Sequence, residues 1–338
     1  MSERVGSGAV CARVCLAVVL AALASPGSAA ELWLHPVLPP AVVKAAGPPV
    51  RRGARPARPA APAPPFPTAL SGDSSFVELT SGERYPEAAS AVPPERIDRS
   101  FVRLGEGRPM PLTSAKVDGP VTRLEATWAG QGLATLAVLL APEARTVEAA
   151  DFEAFLRDAG AAAAAADRAK RKETKKPAKV VAFESARAFA GVLAPPRSAD
   201  PVDPAAGADA PIGLPLEIVA GVPPLPLRAG STLTATVLLD GQPAPGAAVR
   251  AFAADGGAAS PLAADEKGVV SLPLAREGRL LLSTVSVRRT TKADRSKGEA
   301  WKKADWEVRR ATLELLVLPP APAPTPAPKG KGPTPKPR

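Results

Sequence analysis

From Ser74 onward the chain alternates apolar and polar residues with a period of two, in short runs separated by glycine and proline. SSFVELTSGERYP, DRSFVRLGEGRPMPL and VTRLEATWAGQGLATLAVLLAP each predict half-buried antiparallel strands, because successive strand side chains point to opposite faces. In EAADFEAFLRDAG, Glu148 to Gly160, the period changes. Phe152, Phe155 and Leu156 fall at i, i+3 and i+4, acids crowd the first turn and Gly160 supplies a stop. This is an amphipathic helix whose apolar stripe belongs against a core. A run of alanines and then DRAKRKETKKPAK follow, read as a basic insertion over 161–178, helical or disordered. KVVAFESARAFAGVLA, 179–194, fits strand or helix; Val181, Phe183, Phe189 and Leu193 share the odd positions, which leans towards strand.

The Pro/Asp/Ala-rich run 195–210 reads as a linker. Beyond it, LPLEIV, STLTATVLLDGQPAPGAAVRAFA, DEKGVVSLPLAREGRLLLSTVSV and DWEVRRATLELLVLP predict regularly spaced strands with turns at Asp240-Gly241, Lys267-Gly268 and Glu277-Gly278. The expected fold is mainly β, with two β-sandwich-like domains over 31–194 and 211–318. The second is immunoglobulin-like or transthyretin-like and is expected to fold alone. Near the start, ELWLHP predicts a short strand, Leu32 to Leu34, with Trp33 turned into the N-terminal sheet and Leu32 and Leu34 on the opposite face. A Pro-rich loop over 36–67 and a Pro/Ala/Lys tail over 319–338 hold too little apolar surface to order themselves.

Residues 1–30 have the features of a secretory signal peptide: Arg4 and Arg13, an apolar core from Leu16 to Ala24, and the small residues Ser28, Ala29 and Ala30. Cleavage after Ala30 is the first choice and after Ala29 the second. The apolar run is shorter than the roughly 20 residues of a membrane span, so the expected product is periplasmic or secreted and not membrane-spanning. Both cysteines, Cys11 and Cys15, would leave with the signal, which excludes thiol chemistry from the mature chain.

The net charge of +10 is unevenly placed. Arg51 to Arg58, Arg168 to Lys179, Arg288 to Lys303 and Lys329 to Arg338 carry +4, +6, +5 and +4, so the rest of the chain is net acidic. Nucleic-acid binding needs basic groups on one face with aromatics to stack bases, and these segments hold one aromatic, Trp301. They read as solvated loops, with weak contact to anionic surfaces at most.

His35 is the one histidine. A Ser-His nucleophile pair would have to use it, no carboxylate pair is singled out, and no phosphate-binding glycine loop is present. With Glu31 and a free amino terminus it makes at most a weak metal site, since stable nitrogen sites recruit several histidines. Trp33, Trp301 and Trp306 read as buried strand aromatics before they read as a sugar platform. No residue is therefore assigned as catalytic, cofactor-binding or metal-ligating, and the chain is expected not to be an enzyme.

The order of segments carries a resemblance. GLPLEIVAGVPPLPLRAGSTLTATVLLDGQPAPGAAVRAF, DEKGVVSLPLAREGRLLLSTVSV and the late DWEVRRATLEL resemble the C-terminal half of the DUF4198 family, including its G-x-P-x-x-G-A-x-V turn and strand at Gly241 to Val249. ELWLHP, SGERYP and EAADFEAFLRDAG resemble its N-terminal half. The resemblance implies a bacterial periplasmic protein, some relatives being grouped with NikM-type nickel-uptake accessory components. It also implies an unknown envelope protein or transporter component as partner. Family members often have His directly before the acid and the Leu-Trp pair; here Ala30 stands there. The alternative is a structural or adhesive envelope protein contacting protein or polysaccharide.

Overall fold

In a computed structural model, the structure describes residues 30–38, 68–193, 207, 209–221, 227–255 and 260–320. The expected signal peptide except Ala30, almost all of the expected Pro-rich loop, most of the expected linker, and the tail from 321 onward lie outside the described residues.

The principal strands are β1 (Glu31–Val37), β2 (Ser74–Gly82), β3 (Ile97–Leu104), β4 (Thr113–Asp118), β5 (Val121–Thr127), β6 (Gly132–Leu140) and β7 (Glu143–Val147). Two helices, α1 (Ala149–Asp158) and α2 (Ala162–Lys170), precede the 16-residue β8 (Ala178–Leu193). Then come β9 (Leu216–Ala220), β10 (Thr232–Leu239), β11 (Ala248–Ala253), β12 (Val269–Pro273), β13 (Gly278–Arg289) and β14 (Trp306–Val317). The fold is mainly β, as the alternation predicts. Of the run 179–194, residues 179–193 lie in strand β8, and the basic insertion contains the second helix.

The strands form three sheets. The first runs β1-β2-β5-β4. The largest runs β11-β13-β14-β8-β6-β3, with short strands at both ends and β7 pairing with the start of β8. The third centres on β10, flanked by β9 and β12. Leu32, Leu34, Val77, Leu79, Leu124, Leu136 and Ala188 fill the space between the first sheet and one half of the largest. Ile218, Leu233, Val237, Val249, Leu282 and Leu313 fill the space between the third sheet and the other half. The two sandwiches share one sheet, and its joint is the parallel pairing of β8 with β14 from Val180↔Trp306 to Ala188↔Glu314. Strands from both sides of 195–210 enter that sheet.

The end of the linker is tied down by a buried charge. Arg187 on β8 and Glu217 on β9 pair at 2.8 Å, with 1% and 2% of their side chains exposed. Glu217 also accepts the Ile212 N–H at 2.9 Å and the Gly213 N–H at 3.2 Å, and Arg187 donates to the Ala210 carbonyl. Burial lowers the Arg187 pKa to about 10 even though Glu217 opposes the shift.

Most basic residues of 168–179 and 288–303 are exposed, as expected of solvated segments, but Arg168, Arg288 and Arg289 are not. Arg168, on α2, is buried against Glu153 at 2.6 Å and donates to the carbonyls of Glu173 and Lys176. Arg289 pairs with Asp167 and Glu173 and lies over the Trp306 ring, docking α2 on the β13–β14 hairpin. Arg288 grips Asp294 and Glu307. Arg168 and Arg289 neutralise acids from other segments, so these two residues do not add to the positive charge that faces solvent. The segments 51–58 and 329–338 lie outside the described residues.

Candidate functional site

β1 is the edge of the first sheet and pairs only with β2, from Glu31↔Gly82 to Val37↔Phe76. Its unpaired side lies against β14 and β8. There the Thr312 hydroxyl donates to the Leu32 carbonyl at 2.6 Å, and Arg310 donates to the Ala30 carbonyl. Side chains thus satisfy carbonyls that no strand covers.

Alternation along β1 sends Leu32 and Leu34 into the first core. Trp33 therefore points the other way, out of the N-terminal sandwich and towards β13, where it packs with Tyr85 and Leu281. This corrects the expected orientation of both sets. Apolar residues stand at three successive positions because both faces of β1 are covered.

The outward face of β1 meets the largest sheet in three rungs two residues apart. At the first, Ser283 donates to Glu31 at 2.6 Å, and Arg310 lies 3.9 Å from the same carboxylate. At the second, Trp33 packs with Leu281 of β13 and meets Tyr85, in the turn after β2, edge-on with centroids 5.4 Å apart. At the third, His35 Nδ1 lies 2.7 Å from Glu314 Oε1. Glu314 also accepts from Arg279 through both oxygens, each at 3.0 Å, and Arg279 sits over the Tyr85 ring.

This geometry shifts the ionisation of Arg279 and Tyr85. Burial works against the Arg279 charge, but Glu314 outweighs it and raises the guanidinium pKa. Burial, followed by the Glu314 charge, pushes the Tyr85 hydroxyl far above its ordinary value, and that hydroxyl makes no hydrogen bond of ordinary geometry. Glu314 is an acceptor, so a neutral His35 ring carries its proton on Nδ1 and leaves the Nε2 lone pair free of that bond. The His35 side chain is 28% exposed while Glu314 is 6% exposed, so the imidazole stands at the edge of the junction with its partner buried beneath.

Burial raises the Glu31 carboxyl above 4.5, outweighing the opposing effects of Arg310 and Ser283. The folded chain then binds this proton more tightly than the unfolded one. The corresponding stability is full below the unfolded pKa and is lost as pH rises through the folded value. Glu31→Gln is therefore expected to gain stability relative to wild type as pH climbs above about 4.5, read as the difference in urea midpoint at each pH. A difference that does not vary with pH would contradict this.

The residues present do not complete a metal site. Among the described residues no group of three His, Cys, Asp or Glu side chains is placed to hold an ion. Glu314 is occupied by Arg279, and Glu78, opposite His35 on β2, is engaged by Arg123 at 3.2 Å. Glu31 lies at a different rung from His35. The junction offers one imidazole nitrogen, oriented from behind by a buried carboxylate, which is how a ligating or proton-accepting histidine is held in place. Trp33, Trp301 and Trp306 do not converge on one surface: Trp306 is buried against Phe152, and Trp301 meets Phe183 and donates to Glu307. Pattern reading found His35 and Trp33 but not Glu314, Arg279 or Tyr85. The one signal for Glu314 is an acid inside the apolar run TLELLV.

The family model that the sequence matches is DUF4198, described as a domain of unknown function, over residues 68–288. No curated protein matches. Among solved structures, the chain is similar to Escherichia coli alpha-2-macroglobulin in its native conformation. The identity is 15% over 75% of this chain and 14% of that one, with a TM-score of 0.21. Salmonella alpha-2-macroglobulin reacted with methylamine gives 10% identity, 75% and 14% coverage, and a TM-score of 0.18. An ICAM-5 ectodomain fragment gives 9% identity, 76% and 50% coverage, and a TM-score of 0.20. The chain spans about one seventh of the length of either macroglobulin.

Proposed function

The chain belongs to the DUF4198 family, and from that footing we propose that it is an exported, non-catalytic envelope protein that binds or assists a partner, with the His35 edge of the sheet junction as its recognition point. The observation that carries this reading is the pinning of His35 Nδ1 by Glu314, itself held bidentately by Arg279, with part of the ring exposed. Two residues from two strands, Glu314 and Arg279, orient an imidazole carried on a third, and among the described residues no hydroxyl hydrogen-bonds to it as a nucleophile would. Export is supported by the signal features of residues 1–30. In a link with transition-metal uptake, this chain supplies a single nitrogen and a partner supplies the remaining donors.

A second reading, structural or adhesive contact, is favoured by Val37 and Phe76. These register partners are 38% and 49% exposed on the same face as His35. It predicts salt-sensitive retention on envelope material and no metal dependence.

Titration of the purified chain with nickel, cobalt or zinc separates the readings. The isolated chain is expected to bind weakly, and His35→Ala to abolish that binding. Stability should change by no more than about 1 kcal/mol, because the ring is partly exposed and Arg279 still pairs with Glu314. Sub-micromolar binding that survives His35→Ala would overturn the assignment of the junction as the recognition point.

A further inference from the structure

We infer that the end of the largest sheet where β8 and β14 begin is a docking platform for the anionic headgroups of a lipid bilayer, a surface separate from the His35 junction. Two basic segments far apart in sequence, 168–179 and 288–303, carry +6 and +5. The parallel joint brings them together. β8 and β14 start side by side at Val180↔Trp306, and the Asp305 N–H donates to the Lys179 carbonyl at 2.8 Å. The N–H of Thr290, just past the end of β13, donates to the Asp305 carbonyl at 3.0 Å, and Arg289 beside it holds Asp167 and Glu173. One segment therefore enters the sheet at the edge where the other leaves it and returns.

The fold sorts arginine from lysine in these segments. Arg168, Arg288 and Arg289 turn their planar forks to the carboxylates of Glu153, Asp294 and Asp167. The lysines are left outside. Lys170, Lys172, Lys175, Lys176 and Lys179 are exposed on the first segment. Lys292, Arg295 and Lys303 are exposed on the second, and among the described residues none of these eight cations forms an ion pair. The exposed cations that do are Arg171, Lys297 and Lys302, paired with Asp167, Asp294 and Glu299. Asp305 adds one exposed negative charge beside them, which leaves the excess strongly positive.

Compact charges on flexible stems suit a fluid array of phosphates that has no fixed geometry, and a bilayer surface is such an array. Nucleic acid would call for exposed aromatics to stack bases or an element that fits a groove. Trp301, the aromatic of these segments, is instead turned onto Phe183 and donates to Glu307. The large exposed apolar side chains among the described residues all lie elsewhere, so the attachment is electrostatic and nothing inserts. His35 meets Glu314, eight residues along β14 from Trp306. That is about 27 Å of extended strand, so a platform seated on a bilayer keeps the junction clear of it and open to a partner.

The test is co-sedimentation of the full-length protein with vesicles of equal parts phosphatidylglycerol and phosphatidylcholine, and with vesicles of phosphatidylcholine alone. At about 0.1 M salt the protein is expected on the anionic vesicles only, and to be released at about 1 M, where the Debye length falls to ~3 Å. Replacing Lys175, Lys176, Lys292 and Lys303 together by Gln should weaken binding by at least about tenfold, a lysine at an anionic surface being worth roughly fivefold. All four side chains are exposed, and a wild-type melting temperature shows that the variant is folded. A second variant with Lys329, Lys331, Lys336 and Arg338 replaced by Gln is expected to bind nearly as wild type. Equal binding to both kinds of vesicle, no binding to the anionic ones, or a loss in the second variant as large as in the first would overturn the inference. So would tighter binding to a DNA oligonucleotide than to the vesicles, which would give the surface to nucleic acid.

Discussion

Trp33→Ala is expected to destabilise the protein by about 3 to 5 kcal/mol, the range for deleting a large buried aromatic. The indole is 2% exposed and is the middle rung between β1 and the largest sheet. Tyr85, in the turn after β2, meets it edge-on, and Leu281, fixed on β13, packs in the same cluster. Gly82 closes the far side, where a Cβ would stand 2.9 Å from the indole tip. The loss should therefore come from an unfilled cavity at the junction, and Trp33→Phe should recover part of it. Urea unfolding of the three proteins checks this. A Trp33→Ala change below about 1 kcal/mol would mean that the indole does not fill this space.

Glu217→Ala is expected to cost a comparable amount, about 3 to 5 kcal/mol, for a different reason. Here little volume is lost, but the buried Arg187 guanidinium loses its carboxylate and the Ile212 and Gly213 N–H groups lose their acceptor. Replacing both partners together, as in Arg187→Met with Glu217→Leu, removes the stranded charge and should cost much less than the single change. A double variant as unstable as the sum of the two singles would show that the pair is not the unit that matters.

These two sites show how far the sequence could be read. Strands such as β2, β5 and β10 were legible because each has one wet and one dry face, and α1 because Phe152, Phe155 and Leu156 share a stripe. Which strand pairs with which was not, since alternation records burial and not partners. The parallel joint of β8 and β14 brings together residues more than 120 positions apart. The orientation of β1 was lost for a related reason. Leu32, Trp33 and Leu34 are all apolar because both faces are covered, so periodicity cannot say which core takes which face. The charges were misread because partners were distant: Arg168 and Arg289 look like solvated basic residues until Glu153, Asp167 and Glu173 are brought to them. Glu217 and Glu314 stood in plain view as acids within apolar strands. Such residues are rare enough in buried strands that each announces a paired cation, here the buried Arg187 and the half-buried Arg279.

The account turns on how the imidazole of His35 is held. With one histidine in the chain, a long-range proton–nitrogen correlation spectrum of the labelled protein contains one side-chain imidazole pattern to assign. At a pH where the ring is neutral, it should show the proton on Nδ1 and an unprotonated Nε2, and Glu314→Gln should redistribute the two tautomers. A wild-type ring protonated on Nε2, or a pattern unchanged by Glu314→Gln, would contradict the claim that a buried carboxylate aims this nitrogen outward from the sheet junction.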